Sequence, residues 1–311
     1  MDSRIQWIDI EKGIAILLMV IGHSSLPPSV SNFIYAFHMP VFFILSGVCS
    51  NYERDTIIKF ILKRFMAIIL PFICYSIIVL CLCHYMGIYD VSTFIKKGWG
   101  GFALWFIPVF YLSSVLVKVL VKIMKLDLGG LKICIVILLI VGESLSILNI
   151  KLPWSLCSIP VSAAFIMIGN IFKAQIFDIV NRINIFMIII FALIVFVISF
   201  FFPFDLAWNK VSPIILTVTA AVLGTLMLGG ASRILNMQFP KCSRILTLIG
   251  QETYAIMALS QILSLLAHFL FGYGSILNNI FMIVMIVVFV CIKNKSLEVI
   301  KKINNKFHAY H

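Results

Sequence analysis

Charge is scarce in this chain. Only 12% of its 311 residues are Asp, Glu, Lys or Arg, whereas 62% are hydrophobic. A soluble domain carries roughly a quarter charged residues, so that class is excluded, and no stretch between the apolar runs is polar enough to fold as one. Acidic residues are the scarcest, 12 against 24 basic ones. The eight cysteines include no pair with zinc-site spacing, and Cys81-x-Cys83 has poor ligand geometry on a helix. No metal site is expected, and the cysteines read as small apolar fillers. A cleavable signal peptide is not expected either: Asp2, Asp9 and Glu11 precede the first apolar run, and no small-residue cleavage site follows it. Nor is there an internal inverted repeat of the kind that marks many secondary transporters.

Apolar runs of spanning length fill the chain instead, at 12–27, 31–50, 65–87, 102–121, 131–150, 154–174, 184–204, 211–231, 246–271 and 274–292, with a mean hydropathy of +1.12. The expectation is an all-α integral membrane protein, a polytopic bundle of about ten transmembrane helices. Residues 1–292 form one multi-span membrane domain and 293–311 a basic cytoplasmic tail. In that tail Leu297, Val299, Ile300, Ile303 and Phe307 suit an amphipathic helix on an anionic leaflet. The longest external connection, about 88–101, holds Lys96, Lys97, Gly98, Trp99, Gly100 and Gly101 and is a candidate lid or substrate contact, with a flexible glycine turn as the equal alternative.

The formal charge of +12 suggests nucleic acid until its placement is read. With the N-terminus cytoplasmic, only Lys96, Lys97, Lys151 and Lys210 fall on the opposite side; every other basic residue falls inside. That bias places both termini in the cytoplasm and leaves no case for nucleic acid.

Ionisable residues inside a bilayer are costly and default to functional candidates. Lys12 and His23 are eleven residues apart, about three turns plus ~20°, so they share one helix face about 16 Å apart. His38 lies at similar depth on the next span and could share a cavity with His23. A neutral imidazole there suits general-base work on a hydroxyl; an interfacial or hydrogen-bonded structural histidine is the plainer alternative. Glu143 is an isolated acid in the fifth span, able to orient an imidazole, bind a hydroxyl or tie two helices together. Lys63 and Arg64 either mark topology or join Lys12 in a phosphate-binding mouth.

Four stretches then resemble the membrane acyltransferase-3 family, closest to its fucose 4-O-acetylase-like branch. They are Trp7–Gly13 running into Gly22-His23-Ser24, Phe37–Gly47, Leu104-Trp105-Phe106-Ile107, and Leu152-Pro153-Trp154-Ser155-Leu156 with Phe165 and Gly169. The resemblance spans essentially the whole chain. It implies transfer of an acetyl group from cytoplasmic acetyl-CoA to a hydroxyl of a cell-envelope polysaccharide or lipid-linked glycan precursor, at the cell membrane. His23 takes the place of the catalytic histidine, with Asp9, His38 and Glu143 as candidate partners. Lys12, Arg64 and Lys63 are the candidate donor-binding residues, and Trp105 and Trp154 the candidate acceptor contacts. Acetyl-CoA would be a substrate, with no tightly bound cofactor, and a homo-oligomer stays open. The chain departs from the pattern at Cys157, where the branch often has an acid, and at Ser260, where it often has histidine. Two other functions are compatible with the residues: a transporter with a His23–His38–Glu143 proton relay, and an inert partner in envelope assembly.

Overall fold

The computed structural model describes residues 5–23, 26–85, 87, 92, 103–124, 127–272 and 276–308. Most of the 88–101 connection lies outside them. Among the described residues the architecture is all-helical: α1 Gln6–Gly22, α2 Pro28–Tyr35, α3 His38–Cys49, α4 Ile57–Arg64, α5 Leu70–Tyr85, α6 Phe106–Met124, α7 Leu128–Ile147, α8 Ile159–Ile171, α9 Lys173–Arg182, α10 Ile185–Phe201, α11 Ile214–Gln238, α12 Pro240–Gln251, α13 Thr253–Phe271 and α14 Ile276–His308. Among the described residues eight helices are long and apolar enough to cross a membrane, nine if the bent pair α9–α10 is one span. Helix α1, at 17 residues, is one shorter than the shortest of these. This is a multi-pass membrane protein.

Burial separates the centre from the periphery. In an apolar 18-residue stretch of the Pro28–Cys49 span 72% of the residues are buried, against 17% in the corresponding stretches of Ile57–Tyr85 and of Leu128–Ile147. The latter two turn their apolar side chains outward, which is tolerable only against lipid. The centre is built from α1, α3, α8, α11 and α12, with α3 packed chiefly on α8 and α1 on α12.

Glycine makes both of those crossings. A Cβ on Gly47 would lie 2.0 Å from the Ile166 carbonyl oxygen, and one on Gly169 1.9 Å from that of Ile44. Gly13 and Gly250 repeat the arrangement against Leu246 and Asp9, at 2.2 and 1.7 Å. Backbone touches backbone at each crossing, as in small-residue contacts between membrane helices.

Several expected spans have different limits. The first helix begins at Gln6, not near Lys12, and buries Trp7, Asp9 and Glu11 in the bundle. Asp9 is held by an ion pair to Lys12 (3.9 Å), whereas neither carboxyl oxygen of Glu11 has a hydrogen-bond partner among the described residues. The second span breaks at Ala36–Phe37, where Phe37 takes φ −140° and the chain restarts at His38. The third extends back to Ile57 through a π-helical turn, Phe65–Ile69. Pro71 follows that turn, and its missing N–H leaves the preceding carbonyls to a wider ladder. The run 246–271 is divided at Glu252 into α12 and α13. Finally, the segment expected as a separate tail continues α14 without interruption to His308.

Candidate functional site

The turn after α1 and the break between α2 and α3 bring two histidines to one end of the bundle. Pro28 restarts the chain as the first residue of α2, and Tyr35 at its end donates its hydroxyl to the Gly22 carbonyl, 3.0 Å away. Gly22 has room for that ring because it has no side chain: a Cβ would meet Tyr35 at 3.2 Å. The Tyr35 ring lies between the imidazoles, with centroids 5.9 Å from His23 and 5.3 Å from His38.

Each histidine directs Nδ1 at the carbonyl four residues back, His23 at Met19 and His38 at Ile34, both at 2.8 Å. A carbonyl only accepts, so Nδ1 carries the proton in both rings and Nε2 is left as the basic nitrogen. His23 is exposed, while His38 is 3% exposed and its Nε2 has no hydrogen-bond partner among the described residues.

A cavity of about 90 Å³ is lined by His23, Tyr35, His38, Met39, Trp105, Asp205, Leu206, Ala207 and Trp208. Trp105 enters from the short 3₁₀ turn before α6. The acid comes from the loop between α10 and α11, which folds back through the Asp205–Lys210 bridge. Burial raises the Asp205 carboxyl above the usual carboxylate range; the N–H groups of Ala207 and Trp208, then Lys210 and His23, draw it back. Neither Asp205, Tyr35 nor Trp208 is distinguished by the sequence, where each is an ordinary residue at an apolar segment's edge. The one available signal for Asp205 is that acids are rare here.

Glu143 does not line this cavity. Its Oε1 accepts the Ile214 N–H at 2.9 Å and the Ser212 hydroxyl at 3.4 Å, capping α11 and holding the loop that carries Asp205. Ser146 and Gly142, also on α7, secure the same loop through Val211 and Asn209. Asp9 is fourteen residues before His23 on α1, about 21 Å along the axis, and is not brought to it. Trp154 packs its ring on Phe72 with centroids 6.2 Å apart and is not among the residues lining the histidine cavity. At the departures, Cys157 is buried with Sγ 3.1 Å from the Ile150 carbonyl, and Ser260 donates to Met257 at 2.7 Å.

The remaining cations gather elsewhere. Arg64 donates to Ser50 (3.0 Å) and Ser114 (3.2 Å), with Phe60 and Phe110 rings against its guanidinium. Lys63 beside it is exposed. Lys12 lies in the first half of α1, and its charge and that of Lys173 both reach Cys49 at the end of α3. Among the described residues no three His, Cys, Asp or Glu side chains gather as a metal site would require. The arrangement is a histidine pair with one acid at one end of the bundle, and Lys12 and Arg64 toward the other.

A family model for an acyltransferase domain, that of acyltransferase family 3, matches residues 5–293. No curated protein and no solved structure matches the chain.

Proposed function

This chain belongs to the acyltransferase-3 family, and from that premise we propose that it moves an acetyl group from acetyl-CoA to a hydroxyl of a cell-envelope glycan, with His23 as the base. The observation that carries the reading is the common tautomer of the two histidines beside one carboxylate. With Nδ1 committed to Met19, His23 Nε2 is the nitrogen free to accept the acceptor's hydroxyl proton. The resulting alkoxide attacks the thioester carbonyl, and the tetrahedral intermediate collapses with loss of the CoA thiolate. The proton held by His23 passes to that sulfur, so the histidine ends neutral. Asp205, close enough for mutual electrostatic influence, stabilises the imidazolium formed in between. Trp105 and His38 shape the cavity in which the hydroxyl sits.

The donor enters from the cytoplasm. Lys12, Arg64 and Lys63 are the cations available for its phosphates, and the pantetheine arm bridges the roughly 16 Å to His23. The protein resides in the cell membrane with both termini inside, and the branch resembling fucose 4-O-acetylases is the nearest guide to the acceptor. Purified protein in lipid nanodiscs, incubated with radiolabelled acetyl-CoA and envelope glycan fractions, tests the reading: label should reach a glycan hydroxyl, and His23→Ala should abolish this.

A transporter is the second reading, and one observation favours it. The Ala36–Phe37 break puts an interrupted helix beside His38, and interrupted helices are common at transport sites. Glycan uptake into vesicles without any acyl donor would support transport; acetyl-CoA-dependent labelling without uptake would exclude it.

A further inference from the structure

We propose that the His23 end of the bundle carries a second subsite, beyond the reacting hydroxyl, that takes an acidic group on the acceptor glycan. It lies in a separate cleft of about 290 Å³ that shares Trp208 with the His23 cavity. One wall is the end of α7 with Asn149 and Lys151 after it; the other is the α10–α11 loop with Trp208, Asn209 and Lys210. The shared tryptophan makes the two spaces neighbours, so a glycan could place one residue in the cavity and the next in the cleft.

The chemistry of the cleft selects the ligand. Trp208 is 54% exposed, and a free indole offers a flat apolar face to the C–H face of a sugar ring. Asn209 is 4% exposed and donates Nδ2 to the Gly142 carbonyl at 3.2 Å, yet its Oδ1 has no hydrogen-bond partner among the described residues. A buried acceptor left open costs stability unless something donates to it. Asn149 and Asn209 both take positive φ, 51° and 49°, conformations that persist where the surroundings hold them.

Lys151 and Lys210 supply the charge selection. Both are exposed, and neither comes within salt-bridge distance of an acid among the described residues, although the Lys210 charge also acts on Asp205. The charge bias leaves only four lysines on this side of the membrane, and two of them meet at this one cleft. A neutral sugar needs no ammonium groups, whereas a uronic-acid carboxylate or a glycan-borne phosphate gains charge-assisted hydrogen bonds from them. Lysines that merely anchor a helix end sit against lipid-facing apolar surface; these two border Asn149, Asn209 and Ser146.

The subsite rests on the acyl-transfer reading for the identity of its ligand as an acceptor, and its test is kept separate from that reading. The protein is placed in phosphatidylcholine nanodiscs and titrated with an oligogalacturonide and with a neutral galacto-oligosaccharide of equal length. The acidic probe should bind about tenfold tighter, with the gap closing at high salt. The Lys151→Ala/Lys210→Ala double variant should lose the preference, Lys151→Arg/Lys210→Arg should keep it, and Trp208→Ala should weaken both probes. Equal binding of the two probes, or a preference that survives the double alanine change, overturns the proposal. So does a preference abolished by adding phosphatidylglycerol to the nanodisc, which would make the cleft a lipid-headgroup site. Acetyl transfer from acetyl-CoA to an envelope glycan fraction by the same preparations reads the catalytic centre independently. A preparation that transfers acetyl but binds both probes alike fails the subsite alone. One that prefers the acidic probe without acyl chemistry supports the subsite and fails the acyl-transfer reading.

Discussion

The Nδ1–H of His23 has a fixed acceptor in the Met19 carbonyl, and that single bond decides which nitrogen is left basic. His38 makes the same bond to Ile34 but is buried, so the two imidazoles share a tautomer and differ in access. Exposure therefore favours His23 as the base. Asp205→Asn, which keeps the shape and removes the charge, should lower kcat by about tenfold or more with little change in KM, as loss of a group acting on the transition state would. Steady-state kinetics on the purified variant measure this; an unchanged kcat would remove Asp205 from the mechanism. At this scale the histidines and Trp105 were legible, because their residue types are unusual inside a membrane or stand in recognisable stretches. Asp205 and Tyr35 were not. Asp205 reaches the site through the packing of the α10–α11 loop against α7, and the function of Tyr35 depends on where α2 ends.

Helices approach most closely where glycine removes the side chain. At the α3–α8 crossing an added Cβ on Gly47 would overlap the Ile166 carbonyl oxygen at 2.0 Å, so Gly47→Ala must push the helices apart. Overpacking of this kind costs about 1–3 kcal/mol, and the melting temperature in detergent should fall; a wild-type melting curve would contradict the crossing. Glu143 acts at the same scale by capping α11 through Ile214. Glu143→Ala should cost about 1–3 kcal/mol through the unpaired amide. It should also reduce transfer by loosening the Asp205 loop, while Glu143→Gln, which keeps an acceptor, should restore most of both. The length of the apolar runs made the spans visible but not their interruptions. The run through Glu252 reads as continuous because its flanks are apolar, and the break becomes apparent only with Glu252 paired to Lys293 and Tyr254 bonded to the Ile68 carbonyl. Glu143 was recognisable as exceptional, but the choice between helix tie and substrate contact needed the position of Ile214.

Across the whole molecule, the histidine–carboxylate cavity lies at one end and the Arg64 cation site toward the other. In the orientation proposed from the charge bias, His23, Lys151 and Lys210 face outside, and Arg64 and both termini face inside. Single cysteines placed in a cysteine-free background report this directly. Lys151→Cys should react with a membrane-impermeant maleimide added to intact cells, and Arg54→Cys only after lysis; the reverse pattern would invert the bundle. The all-helical membrane class was legible from composition, since a chain with 12% charged residues has few other ways to satisfy its backbone. The site's assembly from α1, α2–α3, the turn before α6 and the α10–α11 loop depends on contacts between distant segments that composition does not encode. The most direct test of the central claim is single-turnover transfer from labelled acetyl-CoA to an envelope glycan fraction in nanodiscs, comparing wild type with His23→Ala of matched melting temperature. Loss of a general base predicts a rate at least about 100-fold lower. Transfer by the variant within about twofold of wild type would contradict the account, because such a base is worth far more than that.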